Sequence, residues 1–209
     1  MTTVGRVAVV DYGLSNLDSV GRALEELGAM PYVVAHGSEL GRPDHIVLPG
    51  VGAFVDAMAN LRERGLDEAL SEQVLGMGVP LLGICLGMQL LATKGTEGAP
   101  VEGLGWVAGE VVRIVPPDTD TRVPHVGWNE IEPTPDSPLF GGIETGSDFY
   151  FVHSFHLVPD QPGSVAASTP YAGGIVSAVQ GPPQVFGVQF HPEKSQRVGF
   201  QVLANFLAI

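Results

Sequence analysis

The sequence predicts an α/β protein with an open, mixed, largely parallel sheet flanked by helices and an antiparallel extension in its second half. In the first half, short and wholly apolar runs alternate with segments of helical periodicity, a pattern typical of a parallel sheet covered on both faces. In the second half, strand-like segments separated by Pro- and Gly-rich turns follow one another. A length of 209 residues fits one domain with a sizeable core, so we expect residues 1–209 to form a single domain.

The first half is predicted to alternate strands with helices. Strands are predicted at residues 6–10, 30–35, 45–48 and 79–84. The first helix begins after two capping residues, Ser15 and Asn16, and ends near Gly28, because apolar residues recur at three- and four-residue spacing between them. A second helix follows the loop 49–52 and runs to about Arg64, and a third covers residues 66–75. The strands of this half should therefore be parallel neighbours.

The second half is predicted to be rich in strands. These strands are predicted at residues 109–115, 123–132, 149–158, 165–169, 174–180 and 185–190. No long amphipathic helix interrupts them until residues 195–207. Short strands in succession favour antiparallel pairing, so we expect them to extend the parallel sheet or to form a layer at its edge.

The composition excludes several classes of protein. A net charge of −13 with only 10 Lys and Arg residues argues against binding to nucleic acid or to an anionic membrane. The single cysteine cannot form an intrachain disulfide, and no apolar run reaches the ~18 residues of a membrane span. We therefore expect a cytoplasmic protein.

No cofactor or metal is expected. The glycine-rich stretches at residues 50–55 and 103–108 do not fit a dinucleotide fingerprint, and no phosphate-binding loop is present. His153 and His156 are three residues apart on a predicted strand, so they should face opposite sides and make a poor pair of metal ligands.

The lone cysteine lies where a strand should turn sharply into a helix. Cys85 follows an apolar run and is flanked two residues away on either side by Gly83 and Gly87, the form of a nucleophile elbow. The helix N-terminus favours a thiolate, which is the reactive form. Cys85 is thus a candidate nucleophile, although a lone cysteine is more often a small buried apolar residue.

A base and a residue that orients it are predicted near the C-terminus. His191 and Glu193 are two residues apart, so along an extended segment their side chains would point the same way, and Pro192 would stiffen the link. His191 would take the thiol proton, and Glu193 would hold the imidazole in the required tautomer. Taken alone, the two residues fit a surface pair equally well.

Two further elements complete the predicted site. The backbone N–H of Leu86, directly after the nucleophile, would stabilise an oxyanion, and a second donor would come from the loop 49–52, through Val51 and Gly52. This loop also follows a predicted parallel strand, and ligands bind beyond the carboxyl ends of such strands. Gln89 lies one helical turn after Cys85, where its amide could contact a substrate.

Six sequence blocks resemble one enzyme family. Pro-Gly-Val-Gly from Pro49, Gly-Ile-Cys-Leu-Gly-Met-Gln from Gly83 and His-Pro-Glu from His191, in this order, resemble the class I (triad) glutamine amidotransferases. Residues 11–16 (Asp-Tyr-Gly with Asn16), 125–129 (His-Val-Gly-Trp-Asn) and 150–154 (Tyr-Phe-Val-His-Ser) narrow the resemblance, together with the Lys-Ser that follows His-Pro-Glu. In these blocks the chain is similar to the glutaminase subunits of imidazole glycerol phosphate synthase.

This resemblance implies hydrolysis of L-glutamine to glutamate and ammonia through a thioester on Cys85. Ammonia would pass through a tunnel to a (β/α)8-barrel cyclase, the partner in a heterodimer, which makes imidazole glycerol phosphate and aminoimidazole carboxamide ribotide in histidine biosynthesis. Gly52 and Gln89 match positions that contact glutamine. Asn16, Trp128 and Lys194 match positions on the side that faces the cyclase, and the loop 49–52 would move when the partner binds.

Two departures from the family pattern and three alternative functions remain to be considered. The family usually has glycine where this chain has Ser15, and often two aromatic residues where it has Phe155 and His156, so details of the contact with the partner are open. The chain could instead be the glutaminase of another amidotransferase, of the pyridoxal phosphate synthase or anthranilate synthase type. It could also be a free-standing cysteine hydrolase, or a non-enzymatic protein in which Cys85 is inert.

Overall fold

A computed structural model describes residues 5–117, 121–135 and 137–209. The strands within these ranges are β1 (Arg6–Val10), β2 (Met30–Val34), β3 (His45–Gly50), β4 (Leu81–Cys85), β5 (Ala92–Gly95), β6 (Val101–Glu102), β7 (Val107–Arg113), β8 (His125–Pro133), β9 (Ser147–His153), β10 (Phe155–Pro159), β11 (Val165–Thr169), β12 (Ile175–Gly181) and β13 (Val185–Val188). The helices are α1 (Leu17–Glu26), α2 (Phe54–Glu63), α3 (Leu66–Ser71), α4 (Leu86–Leu90) and α5 (Gln196–Phe206).

The main sheet has nine strands in the described part of the chain, in the order β2-β1-β3-β4-β13-β12-β11-β8-β9. The first five strands of this order run parallel, and the remaining four are joined to them and to one another by antiparallel pairing. The predicted fold class is therefore confirmed, including the antiparallel extension. Strand β13 belongs to the second half of the chain but pairs in parallel with β4, which brings the two halves together at Cys85.

A second sheet of four strands, in the order β10-β7-β5-β6, is absent from the sequence-based prediction. Strands β5 and β6 were not predicted, because they are very short and carry polar residues, so they lack an apolar pattern. The single strand predicted over residues 149–158 is instead two strands, β9 and β10, which separate at Ser154 and enter different sheets. The predicted third helix is shorter, since α3 gives way to a π-helical turn at Glu72–Gly76.

Packing on both faces explains the apolar strands. Ile46 and Leu48 of β3 enter the core layer that also contains α2, whereas Val47 enters the layer that contains α5 on the other face. Successive side chains of a strand point to opposite faces, so a strand covered on both sides must be apolar throughout. Cys85 lies at the carboxyl end of β4, at the centre of the sheet.

The predicted caps of α1 are only partly correct. Asn16 occupies the N-cap position but makes no capping hydrogen bond, and its side chain donates to the Ser19 hydroxyl instead. The Ser15 hydroxyl donates to the carbonyl oxygen of Pro49 at 3.2 Å, which ties this segment to the loop after β3. Gly28 follows the helix with a φ of +85°, as expected for a C-terminal glycine. In the described ranges, no helix is both long and apolar enough to cross a bilayer.

Candidate active site

Cys85 lies on a sharp turn between β4 and α4. Its φ of +54° is unusual for a residue with a side chain, as is typical of a strained nucleophile elbow. A Cβ at Gly87 would lie 1.7 Å from the carbonyl oxygen of Leu48, and one at Gly83 would lie 2.6 Å from that of Gly87. The two glycines are thus required by close approach of the backbone around the cysteine.

His191 and Glu193 form a buried pair beside this turn. The Nδ1 of His191 and the Oε1 of Glu193 are 2.8 Å apart, and the two side chains are only 3% and 1% exposed. The geometry differs from the predicted extended segment, because β13 ends at Val188 and the pair is formed by a tight turn at Pro192–Lys194. Ser195 fixes this turn, since its hydroxyl donates to the carbonyl of His191 at 2.7 Å.

The second ring nitrogen of His191 is available for chemistry. Nδ1–H donates to Glu193, so in the neutral ring the lone pair is on Nε2, which is buried and makes no hydrogen bond to any described residue. Burial opposes a charge on the ring, but the interactions with Cys85 and with Glu193 outweigh it and raise the pKa of His191 to about 9. A proton released by the thiol therefore has a strong acceptor close by.

Two buried glutamines connect the thiol to the pocket wall. Gln189 donates through Nε2 to the Cys85 sulfur at 3.6 Å, and its Oε1 accepts from Nε2 of Gln89 at 3.0 Å. Gln89 also donates to the carbonyl of Phe155 at 2.9 Å. Sequence analysis identified Gln89 but missed Gln189. Its position two residues before His191 on a predicted strand could have indicated that both side chains point to the same site.

A cavity of about 310 Å³ opens over Cys85. It is lined by Val51, Gly52, Cys85, Leu86, Gln89, Glu97, Pro124, Val152, His153, Ser154 and Phe155. Glu97 is the carboxylate in this lining, and it also accepts a hydrogen bond from the backbone N–H of Phe54 at the start of α2. Sequence analysis missed Glu97, because it lies in a turn after β5 with no motif around it. A volume of this size suits a small molecule.

The chain matches a known protein family over nearly its whole length. A family model described as glutamine amidotransferase class-I matches residues 8–209. The chain belongs to the class I glutamine amidotransferases.

Curated relatives narrow the family further. The HisH 1 subunit of imidazole glycerol phosphate synthase from Campylobacter jejuni strain RM1221 is 46% identical, over 97% of this chain and 100% of its own. The HisH subunit from Geobacillus thermodenitrificans is 48% identical, over 100% of this chain and 97% of its own. Within the class I amidotransferases, this chain therefore belongs with the HisH subunits.

Solved structures show the same fold at low identity. PurLQS from Thermotoga maritima aligns with a TM-score of 0.76 at 22% identity, over 97% of each chain. A glutamine amidotransferase from Thermotoga maritima aligns with a TM-score of 0.62 at 18% identity, over 90% of this chain and 76% of that one. These likenesses support the class I amidotransferase fold of the chain.

The loop after β3 is where this amidotransferase departs most from the predicted site. Gly50 is the register partner of Cys85, so the loop reaches the nucleophile as expected. The N–H of Val51, however, donates to the carbonyl of Leu14 at 2.8 Å. In this conformation the Val51 N–H is therefore not directed at an oxyanion on Cys85, and its role as an oxyanion donor stays a prediction. Gly52 has a φ of +101°, which only glycine adopts easily. Leu86 begins α4, so its N–H has no acceptor within the helix.

Two of the residues predicted to face a cyclase, Trp128 and Lys194, lie close together. Trp128 is 48% exposed and packs edge-on against Tyr150, its register partner on β9, with ring centroids 6.0 Å apart. The Nζ of Lys194 lies 5.9 Å from the centre of the same tyrosine ring. Asn16 precedes α1, which contacts the turn that carries Lys194. Trp128 and Lys194 thus form one cluster with Tyr150.

His153 forms a hydrogen-bonded pair with His125. Its Nδ1–H donates to the Phe155 carbonyl at 2.8 Å, which leaves Nε2 to accept from Nδ1–H of His125 at 3.1 Å. Burial lowers the pKa of His153 to about 3 and that of His125 to about 4, so both rings are neutral at pH 7. Among the described residues no cluster of three His, Cys, Asp or Glu side chains suits a metal ion.

Proposed function

We propose that the chain is the glutaminase subunit of an imidazole glycerol phosphate synthase. It hydrolyses L-glutamine to glutamate and ammonia at Cys85 and delivers the ammonia to a (β/α)8-barrel cyclase, with which it forms a cytoplasmic heterodimer in histidine biosynthesis. The observation that carries the proposal is the buried His191–Glu193 pair beside Cys85, which itself lines an open pocket. Its membership among HisH subunits supports the choice of partner.

The reaction follows from the arrangement of Cys85 and His191. The thiol proton moves to Nε2 of His191, and the sulfur attacks the side-chain amide carbon of glutamine to give a tetrahedral oxyanion. His191 returns the proton to the amide nitrogen as the C–N bond breaks, which releases ammonia and leaves a thioester on Cys85. Water then attacks the thioester carbon and gives its proton to His191. The resulting tetrahedral intermediate then breaks its C–S bond, which releases glutamate, and His191 returns the proton to the sulfur to restore the thiol.

Glu193 supports both halves of this cycle. Its carboxylate holds the proton on Nδ1 of His191 through the 2.8 Å hydrogen bond, so Nε2 always faces the reaction. The carboxylate also stabilises the imidazolium that forms twice per turnover. Because the pair is buried, water cannot screen this interaction.

Glutamine recognition is assigned to the lining of the pocket. Glu97 offers a carboxylate that complements the α-ammonium group of an amino acid. Gln89 is held by its hydrogen bonds to Phe155 and Gln189, so it presents a fixed amide to the substrate. Gly52 also lines the pocket, where the lack of a side chain leaves room for the substrate backbone.

The loop after β3 explains why the isolated chain should be nearly inactive. While the Val51 N–H donates to Leu14, it cannot assist the Leu86 N–H in stabilising the oxyanion. Loss of one oxyanion donor typically costs ~10²–10³ in kcat. We propose that the cyclase, bound over the cluster of Trp128, Tyr150 and Lys194, favours a form in which the Val51 N–H turns toward the site.

The proposal is tested with purified chain, alone and with the cyclase and its nucleotide substrate. Glutamate release should be slow for the chain alone and rise by about 10²-fold or more in the complex, given one restored oxyanion donor. A glutamine-like electrophile should label the wild type, but not Cys85→Ala, and His191→Ala should lose turnover. A fully active isolated subunit, or peptide cleavage without glutaminase activity, would contradict the proposal.

Binding separates this function from other amidotransferases. A glutaminase of the pyridoxal phosphate synthase or anthranilate synthase type shares the nucleophile and the triad but assembles with a different synthase. Stable co-purification with the (β/α)8-barrel cyclase of the same organism is therefore the decisive measurement for the partner. If the two proteins do not co-purify but the chain still hydrolyses glutamine, the glutaminase reaction stands and the assignment to histidine biosynthesis is rejected.

A further inference from the structure

A buried hydroxyl next to the active site has no role in the mechanism described above. Tyr12 follows β1 and is 0% exposed, and its hydroxyl makes no well-aligned hydrogen bond to any described residue, because the nearby Ser15 hydroxyl is directed at the Pro49 carbonyl instead. Burying a hydroxyl without a partner costs free energy, and phenylalanine would fill the same space without that cost. Such a group calls for a partner in another conformation of the protein.

The hydroxyl lies directly against the loop that should supply the second oxyanion donor. An ideal Cβ on Gly50 would lie only 1.7 Å from the Tyr12 oxygen, so the hydroxyl occupies the space of that side chain. Gly50 in turn is the register partner of Cys85. The tyrosine therefore contacts the one peptide unit whose orientation decides whether Val51 can serve the site.

The hydroxyl is available as a donor. Burial is the main cause that raises the pKa of Tyr12 above its usual range, and the negative charge of a Cys85 thiolate is the second. The nearby Ser15 hydroxyl lowers this pKa, but by less. The group therefore keeps its proton at the pH values at which enzymes work. It can donate to any acceptor that moves into contact with it.

Peptide geometry predicts which acceptor this is. In a trans peptide the N–H of Val51 and the C=O of Gly50 point in opposite directions. In this structure the N–H points to the carbonyl of Leu14, in the segment that also carries Tyr12. When the peptide turns to direct this N–H at the oxyanion, the Gly50 carbonyl swings to the side that the N–H leaves. There it faces the Leu14 carbonyl, another acceptor, and needs a donor.

We infer that Tyr12 is a positioning residue whose hydroxyl receives the Gly50 carbonyl when the peptide between Gly50 and Val51 turns. It thereby stabilises the form of the loop that is active in glutamine hydrolysis. The inference rests on the proposed function. Tyr12 touches neither glutamine nor the reacting atoms, and it acts only through the orientation of this peptide.

Tyr12→Phe tests the inference, because it removes the hydroxyl and keeps the ring. In the complex with the cyclase and its nucleotide substrate, kcat for glutamate release should fall about tenfold, the equivalent of ~1.4 kcal/mol. The KM for glutamine should stay within about twofold, because the pocket is untouched. The Tm of the isolated variant should be unchanged or higher, since a hydroxyl without a partner is removed.

Tyr32→Phe is the matched control. The Tyr32 hydroxyl donates to the carbonyl of Leu40 at 2.6 Å on the edge strand β2, so its loss should lower the Tm and leave kcat unchanged. An unchanged kcat in Tyr12→Phe, or a fall in kcat accompanied by a lower Tm or a raised KM, would overturn the inference. A wild-type complex that does not hydrolyse glutamine would overturn the proposed function, and this inference with it.

Discussion

Replacing Glu193 by glutamine perturbs a single charge in the buried pair and keeps its shape. The pKa of His191 rises from 6.5 to about 9 in the folded protein, which corresponds to ~3 kcal/mol in favour of the imidazolium. This is the net effect after burial has opposed the charge, so Cys85 and Glu193 together contribute more than that amount. Without the carboxylate, only the interaction with Cys85 remains to offset the effect of burial, so the pKa of His191 should fall.

The tautomer of His191 adds a second penalty. A glutamine amide at residue 193 can donate to Nδ1 of His191, which would place the ring proton on Nε2, where the thiol proton has to go. We therefore expect kcat for glutamate release by the cyclase complex to fall ~10²–10³-fold, or ~2.7–4 kcal/mol. The alkaline limb of the pH–rate profile, expected near the His191 pKa of about 9, should move to lower pH.

The assay compares Glu193→Gln with Glu110→Gln. Glu110 also forms an ion pair, with Lys94 at 3.3 Å, but on the exposed surface, so its loss should change kcat by less than about twofold. Titration of His191 by NMR gives its pKa directly. A Glu193→Gln variant with kcat within about fivefold of wild type and an unshifted His191 pKa would refute the reasoning.

Three further outcomes are expected. Gly50→Ala should lower the free energy of unfolding by ~2–3 kcal/mol, because its Cβ would meet the Tyr12 oxygen. Adding Tyr12→Phe should recover at least half of this loss in urea unfolding, and simple additivity of the two changes would contradict the contact. His153 should contribute a loss of stability of up to ~1.4 kcal/mol per pH unit as the pH falls from 6.5 toward 3, since the unfolded chain protonates this ring and the folded protein does not, and His125 should add a similar loss down to about pH 4. In His153→Gln the slope should be smaller, and an equal slope would exclude this source. Trp128→Ala should keep the free energy of unfolding of the isolated chain within about 0.5 kcal/mol of wild type, because this side chain is half exposed. It should weaken cyclase binding at least tenfold in calorimetry, and unchanged binding would show that this residue is not in the interface.

The parallel half of the fold was predictable because its strands are covered on both faces. Strand β1 has the predicted bounds, and the predicted bounds of β3 and β4 differ by only a few residues. The second sheet was not predictable, since β5 and β6 have no apolar pattern and form only through pairing with β7 and with each other. Ser154, where β9 and β10 separate, has no local breaker signal either.

Within the candidate site, residues with a local motif were predicted and residues without one were not. Cys85 is marked by its glycines, and His191 and Glu193 by their short spacing. Gln189 and Glu97 were missed, because their contacts with the sulfur and with the pocket depend on elements far apart in the chain.

By itself, the sequence determined the chemistry: a cysteine between glycines at the end of an apolar strand, and a histidine with a carboxylate near the C-terminus. Only the tertiary structure decided how these groups meet. Pairing of β13 with β4 places His191 beside Cys85, and no local pattern specifies which strands become neighbours. Only the tertiary structure, likewise, shows that the Val51 N–H is bound to Leu14, because the orientation of one peptide depends on the acceptors around it and not on residue type.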